Sequence, residues 1–184
     1  MSAPPQMRRA EKLMPQERAL AVLENGFSGR VAAIGPDGYP YCVPLLYVVM
    51  GGELYVHTAR AGHLRSAVEH DSRVCFEMDE PGEIFPYGRF ECDTSVAFRS
   101  VIVFGKARIV EEQAAKQAFF TALMRKYAKD IDGRPKDFFP RLDQITLYII
   151  VIERITGKET PLPQISERWP AMDRTKSPSA KPPH

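Results

Sequence analysis

The chain lacks most of the features that would assign a small protein quickly. Cysteine is scarce: Cys42, Cys75 and Cys92 are the three present, far apart and odd in number. They form neither a CxxC pair nor a disulfide framework, so they read as buried, reduced thiols of a cytoplasmic protein. Histidine numbers four, with no HxxxH or HExxH spacing, so no metal site is expected. No apolar run is long enough to span a bilayer, and the N-terminal stretch MSAPPQMRRAEKLMPQER has no apolar centre of a secretory signal. The formal charge of +2 is too close to neutral to point to nucleic acid or an anionic membrane. No nucleophile–base triad, carboxylate pair or Walker-type glycine loop is present, and no internal repeat.

What is present is ordinary apolar content in 184 residues, enough for one domain with some tail. Residues 1–12 are polar and read as a flexible arm, 13–159 as the folded domain, and 160–184 as a proline-rich tail or arm. Pro15 opens a helix that Gly26 follows, with Ala19, Leu20 and Leu23 as its buried stripe. Two apolar runs flank the Pro36-Asp37-Gly38 turn as a hairpin, and Gly51-Gly52 turns into a third strand. Pro44 cannot donate to a ladder, so its strand must be an edge, a bulge or a break there. A helix over 62–70 presents Leu64, Ala67 and Val68 inward. RVCFEMD is a strand and 80–94 a loop. A long strand follows with a bend at Gly105. A helix over 111–129 carries Ala115, Phe119, Leu123 and Tyr127 on one line, with Phe120 and Met124 beside it. ITLYIIVIERI closes the domain as a strand buried on both faces, and periodicity ends after Gly157. The expected fold is mainly β: a six-stranded antiparallel split β-barrel with flanking helices.

The densest chemistry lies in HTARAGHLR. Strand alternation sets Val56 and Thr58 on one face and His57 on the other. A helix opens at Gly62, where backbone N–H groups are unpaired and the dipole is positive. His63 and Arg65 fall in its first turn, where acidic residues normally match the dipole. A bound phosphate would reverse that mismatch, accepting the N–H groups and a bidentate arginine. The alternative is a solvated basic surface. His57 has the same two readings, structural or active.

In combination, DGYPYCVPLLYV, LYVHTARAGHLRSAVEHDSRVCFEMDE, FRSVIVFGKARIVEE and IERITGKE resemble the FMN-binding split barrel of the pyridoxamine 5'-phosphate oxidase-like superfamily. Within it the nearest likeness is to the Nim-type (5-nitroimidazole resistance) flavoproteins, over Gly29–Glu159. The resemblance implies a homodimer with FMN at the subunit interface. It places the phosphate on His57-Thr58 and Gly62-His63 with Arg65 close by, and the flavin ring along Val43, Pro44, Leu45 and Leu46. It draws Arg99, Ser100 and Val101, and Lys158, from the partner subunit. It gives His57 the active-site role. The chain departs from the true oxidases, whose Arg-Lys pair in the phosphate turn reads His63-Leu64 here. Their arginine at the position of Val43 is also absent, which argues against vitamin B6 oxidation. The expectation is an FMN-dependent oxidoreductase passing electrons from a nicotinamide donor to a small nitroaromatic- or quinone-like acceptor. The alternative is a non-catalytic binding or storage protein for flavin, deazaflavin or haem. In the tail, Trp169 would cover the flavin or clasp the partner, or belong to a disordered segment.

Overall fold

A computed structural model describes residues 9–88, 90–131 and 133–164. The expectations for residues 1–8 and for Trp169 lie outside the described residues. Among the described residues there are seven strands: β1 (Gly29–Ile34), β2 (Pro40–Leu45), β3 (Tyr47–Met50), β4 (Glu53–Ala59), β5 (Arg73–Pro86), β6 (Thr94–Val110) and β7 (Ile145–Thr160). The helices are α1 (Gln16–Asn25), α2 (His63–His70) and α3 (Gln113–Tyr127).

All pairings are antiparallel, in the order β2-β1-β5-β6-β7-β4-β3. The two edge strands, β2 and β3, are consecutive in sequence and separated by Leu46 alone. The sheet must therefore curl until its edges meet, which makes it a barrel split at that seam. This is why the expected six strands become seven: one predicted strand pairs with β1 in its first half and with β4 in its second. Pro44 sits on an edge strand opposite Arg30, and the break falls two residues later, at Leu46.

Two more expectations change. The loop foreseen over 80–94 is mostly strand. Ile84 pairs with Val96 and Pro86 with Thr94, after a register shift between Pro81 and Ile84 that absorbs the Pro-Gly dipeptide. β7 also continues past Gly157 to Thr160, because β6 offers partners as far as Phe98. Gly105 does mark a register shift, against β7.

The core has two parts. Inside the barrel lie Val31, Leu54, Val56, Phe76, Met78, Val101, Val103, Tyr148 and Ile150, joined by Ala19, Val22 and Leu23 of α1 and Leu64, Ala67 and Val68 of α2. Ala19 and Leu23 of α1 are buried as expected, with Val22 rather than Leu20 as the third residue of the stripe. On the other side of the sheet, Val48, Val110, Leu147 and Ile149 pack against Phe119 and Leu123 of α3. Alternate residues of β7 thus serve both parts, as its unbroken apolar run requires. The expected stripe of α3 holds for Ala115, Phe119, Phe120, Leu123 and Tyr127, and fails at Met124. Met124 is 38% exposed, while Lys116 is only 1% exposed. Its ammonium donates to Glu111 Oε2 (2.7 Å) and to the Ile145 carbonyl (3.0 Å). Packing of α3 against the start of β7 leaves no route to water for that side chain, so the charge is satisfied internally.

The thiol expectation is also corrected. No disulfide forms, but Cys42 and Cys92 are exposed, and Cys75 alone is partly covered. Burial pushes its thiol up.

Candidate functional site

β4 delivers the turn to α2 as strand alternation dictates. Val56 points into the barrel and His57 to the α3 side. Thr58 Oγ1 donates to the Ala59 carbonyl (2.9 Å) and is hydrogen-bonded to the Tyr148 hydroxyl (3.1 Å). Gly62 caps α2 at φ 149°, a conformation that a side chain strains, and a Cβ there would meet nothing within 4 Å. No side chain caps the helix and no acidic residue stands in its first turn. The first-turn N–H groups are therefore free of side-chain acceptors.

Arg65 is less free than its position suggests. Nε donates to Glu69 Oε1 (2.8 Å), and Nη1 to Glu111 Oε1 (3.1 Å), Thr146 Oγ1 (3.0 Å) and the Arg60 carbonyl (3.3 Å). These bonds, led by that to Glu69, raise its pKa further. Glu111 is held below the usual carboxylate range, chiefly by Lys116 and then by Arg65. Thr146 Oγ1 in turn donates to the Arg60 carbonyl, tying the turn to β7 (3.1 Å). Nη2 is the guanidinium nitrogen with no partner among the described residues. The turn thus fits a flavin phosphate through backbone N–H groups, Gly62 and one open guanidinium edge, with two carboxylates already at the other edge.

His63 is exposed, its ring edge-on to Tyr41 of β2 (5.5 Å between centroids). Tyr39, Tyr41, Asp37, His63 and Ser66 line a pocket of about 430 Å³ beside the helix start. Along β2, Val43 and Leu45 pack toward the core while Pro44 and Leu46 face out. The fold therefore brings Thr58, Gly62, His63 and Arg65 together, with β2 alongside.

His57 stands apart from that mouth. Its imidazole packs on Phe119 and Phe120 (5.3 and 5.1 Å between centroids), and Nδ1 is buried with no hydrogen-bond partner. Burial lowers its pKa, so the ring is neutral at physiological pH. Arg99, Ser100 and Lys158 form a separate group. Ser100 pairs with Lys158, and Arg99 bridges to Glu80 at 2.8 Å. They lie at the opposite end of β7 from Thr146, so one chain does not bring them to Gly62. Val101 sends its side chain into the core.

Sequence reasoning passed over Glu111, Thr146, Tyr148 and Lys116. Thr146 carried a signal, as the lone polar residue at the head of an apolar run. The others look unremarkable until the fold closes. Among the described residues no group of three or more His, Cys, Asp or Glu could hold a metal.

A family model described as pyridoxamine 5'-phosphate oxidase matches residues 15–159. The chain belongs to that family. Solved structures of similar fold include a candidate 5-nitroimidazole antibiotic resistance protein from Bacteroides thetaiotaomicron. It is 20% identical with a TM-score of 0.65, covering 79% of this chain and 85% of that one. An FAD-binding protein from Mesorhizobium loti is 21% identical (TM-score 0.60, covering 81% and 97%). An FAD- and haem-binding protein from Mycobacterium smegmatis is 16% identical (TM-score 0.66, covering 92% and 81%). At these identities the likeness is one of fold. No curated protein matches the chain significantly. No helix of the described residues is long and apolar enough to cross a membrane.

Proposed function

We propose that this protein binds FMN at the interface of a homodimer and works in the cytoplasm as an oxidoreductase, passing electrons from a nicotinamide donor to a small nitroaromatic- or quinone-like acceptor. The observation that carries the reading is the start of α2. It is an uncapped helix N-terminus with a positive-φ glycine and no acidic residue, in a family of flavin-dependent proteins whose similar folds include two named for FAD binding. Flavin, when bound, supplies the two-electron chemistry that this set of side chains lacks.

The chain's own groups supply position and electrostatics. Backbone N–H groups of α2, with Thr58, His63 and Arg65, hold the phosphate. The main chain from Val43 to Leu46, at the end of β2, lies along the ring. Arg99, Ser100, Val101 and Lys158 complete the site from the partner subunit. An apolar strip supports the dimer: Val96, Ile102 and Phe104 on β6 and Val151 on β7 are all exposed in the single chain. His57, held neutral by burial, acts as a hydrogen-bond donor near the acceptor.

One observation favours a second reading, a non-catalytic binding protein for flavin, deazaflavin or haem. The His57 ring is packed against phenylalanines rather than displayed to a ligand.

The test is the visible spectrum of the purified protein and of the supernatant after heating, followed by turnover of a nicotinamide donor with a nitroaromatic acceptor. FMN released in equal amount to the chain, with turnover, supports the reading. Bound flavin without turnover selects the second reading. A colourless protein that takes up no added FMN overturns both.

A further inference from the structure

The N-terminal segment is pinned to the far end of β7. Met14 N–H donates to the Gly157 carbonyl (3.0 Å), and Leu13 forms an isolated bridge with Lys158. Ala10–Lys12 makes one turn of 3-10 helix just before it. This docking carries Arg9 and Lys12 to the same place as Lys158, where the β5–β6 hairpin supplies Phe85, Tyr87, Thr94, Ser95 and Phe98. Together they line a pocket of about 530 Å³ with three cations and no carboxylate. Arg9 approaches Glu11 only at 3.9 Å, with both side chains more than half exposed, a contact of little consequence. Among the described residues neither lysine has a carboxylate partner. Lys12 Nζ sits over the Phe98 ring, 5.6 Å from its centroid.

Three convergent cations repel one another unless an anion lies among them. Aromatic walls call for a flat ring between them, and the hydroxyls of Tyr87, Thr94 and Ser95 offer further hydrogen bonds. The volume is in the range of small-molecule sites. We propose that this pocket binds a phosphorylated aromatic of mononucleotide size, and that its ligand is the adenylate half of the nicotinamide electron donor. The role as donor site rests on the flavin reading above; the chemistry of the pocket does not. Arg9 and Lys12 hold the phosphates, and Phe98, Phe85 and Tyr87 enclose the base.

Calorimetric titration of the full chain with ADP tests this, with adenosine and inorganic phosphate as controls and flavin content read from the spectrum of each preparation. ADP is expected to bind at least roughly tenfold more tightly than either control, to weaken as salt is raised, and to compete with the nicotinamide donor. Lys12→Gln and Phe98→Leu should each lower ADP affinity roughly tenfold while flavin content holds. ADP binding that matches adenosine, or is unchanged in both variants, overturns the proposal. Loss of flavin in step with ADP also overturns it, since the pocket then belongs to the flavin. Failure of the flavin reading alone is separately visible: a colourless protein that still binds ADP retracts the donor role.

Discussion

Mild acid should destabilise this protein through one imidazole. His57 lies between β4 and α3 with its Nδ1 buried and unpartnered, and the rings that face it are Phe119 and Phe120. Its folded pKa is lowered from 6.5 by burial alone. In the unfolded chain the ring takes a proton near its ordinary value. Between the two values the unfolded state binds one more proton than the folded state, so stability falls as pH falls. The loss begins near the unfolded value and levels off below the folded one. A whole proton is worth about 1.4 kcal/mol per pH unit, which is the ceiling on the slope between the two values. Carboxylates do not confuse the reading. Asp71 is held at about 2 by Arg73, so its contribution is complete above its unfolded value and is lost only on descent toward that lower one. Glu111 is likewise lowered and acts in the acid range. Urea midpoints at several pH values, for wild type and His57→Leu, measure the effect, with the slope of each transition checked for constancy. The wild-type midpoint should fall from about pH 7 to 5.5, and that of the variant should stay nearly level. Parallel pH dependence in both proteins would refute the argument.

Two stability predictions concern packing. Lys116→Ala deletes three buried methylenes and the hydrogen bond to the Ile145 carbonyl, offset in part by relief of the ammonium's desolvation, so about 2–4 kcal/mol should be lost. Lys116→Met keeps the stem and should lose about half as much, and urea unfolding of the two variants checks the ranking. Gly105→Ala would put a Cβ 2.2 Å from the Val151 carbonyl oxygen, a backbone atom that cannot swing aside, so thermal unfolding should reveal a loss of about 1–3 kcal/mol.

The legible parts of the fold were those governed by local rules. Pro15, Gly26 and Pro36-Asp37-Gly38 announce their helix start, helix end and turn because each acts through its own backbone torsions. Leu64, Ala67 and Val68 reveal the inner face of α2 by spacing alone. The run from Thr146 to Ile150 reveals burial on both faces. The seam at Leu46 was out of reach, since only the whole sheet decides which strand each half of 40–50 will pair with. The extension of β5 through Pro-Gly was hidden for a related reason: cross-strand partners overrode local composition that reads as a turn.

The candidate site shows the same division, with a consequence for how charge is read from sequence. Arg65 in the first turn of α2 looked like an available phosphate ligand. Its partner Glu69 stands one helical turn away and could be foreseen, but Glu111 arrives from the end of β6 and Thr146 from the start of β7. A cation counted as free in the sequence is thus half occupied in the fold. Lys12 and Lys158 err in the opposite direction. They are 146 positions apart in the numbering, and nothing local links them, yet one backbone bond from Met14 to Gly157 sets them on a common pocket without a counter-charge. The same closure of the barrel that satisfies one basic residue leaves two others unsatisfied. Cations gathered without a counter-charge mark the end of β7, as well as the uncapped start of α2, as a place that an anionic ligand would suit.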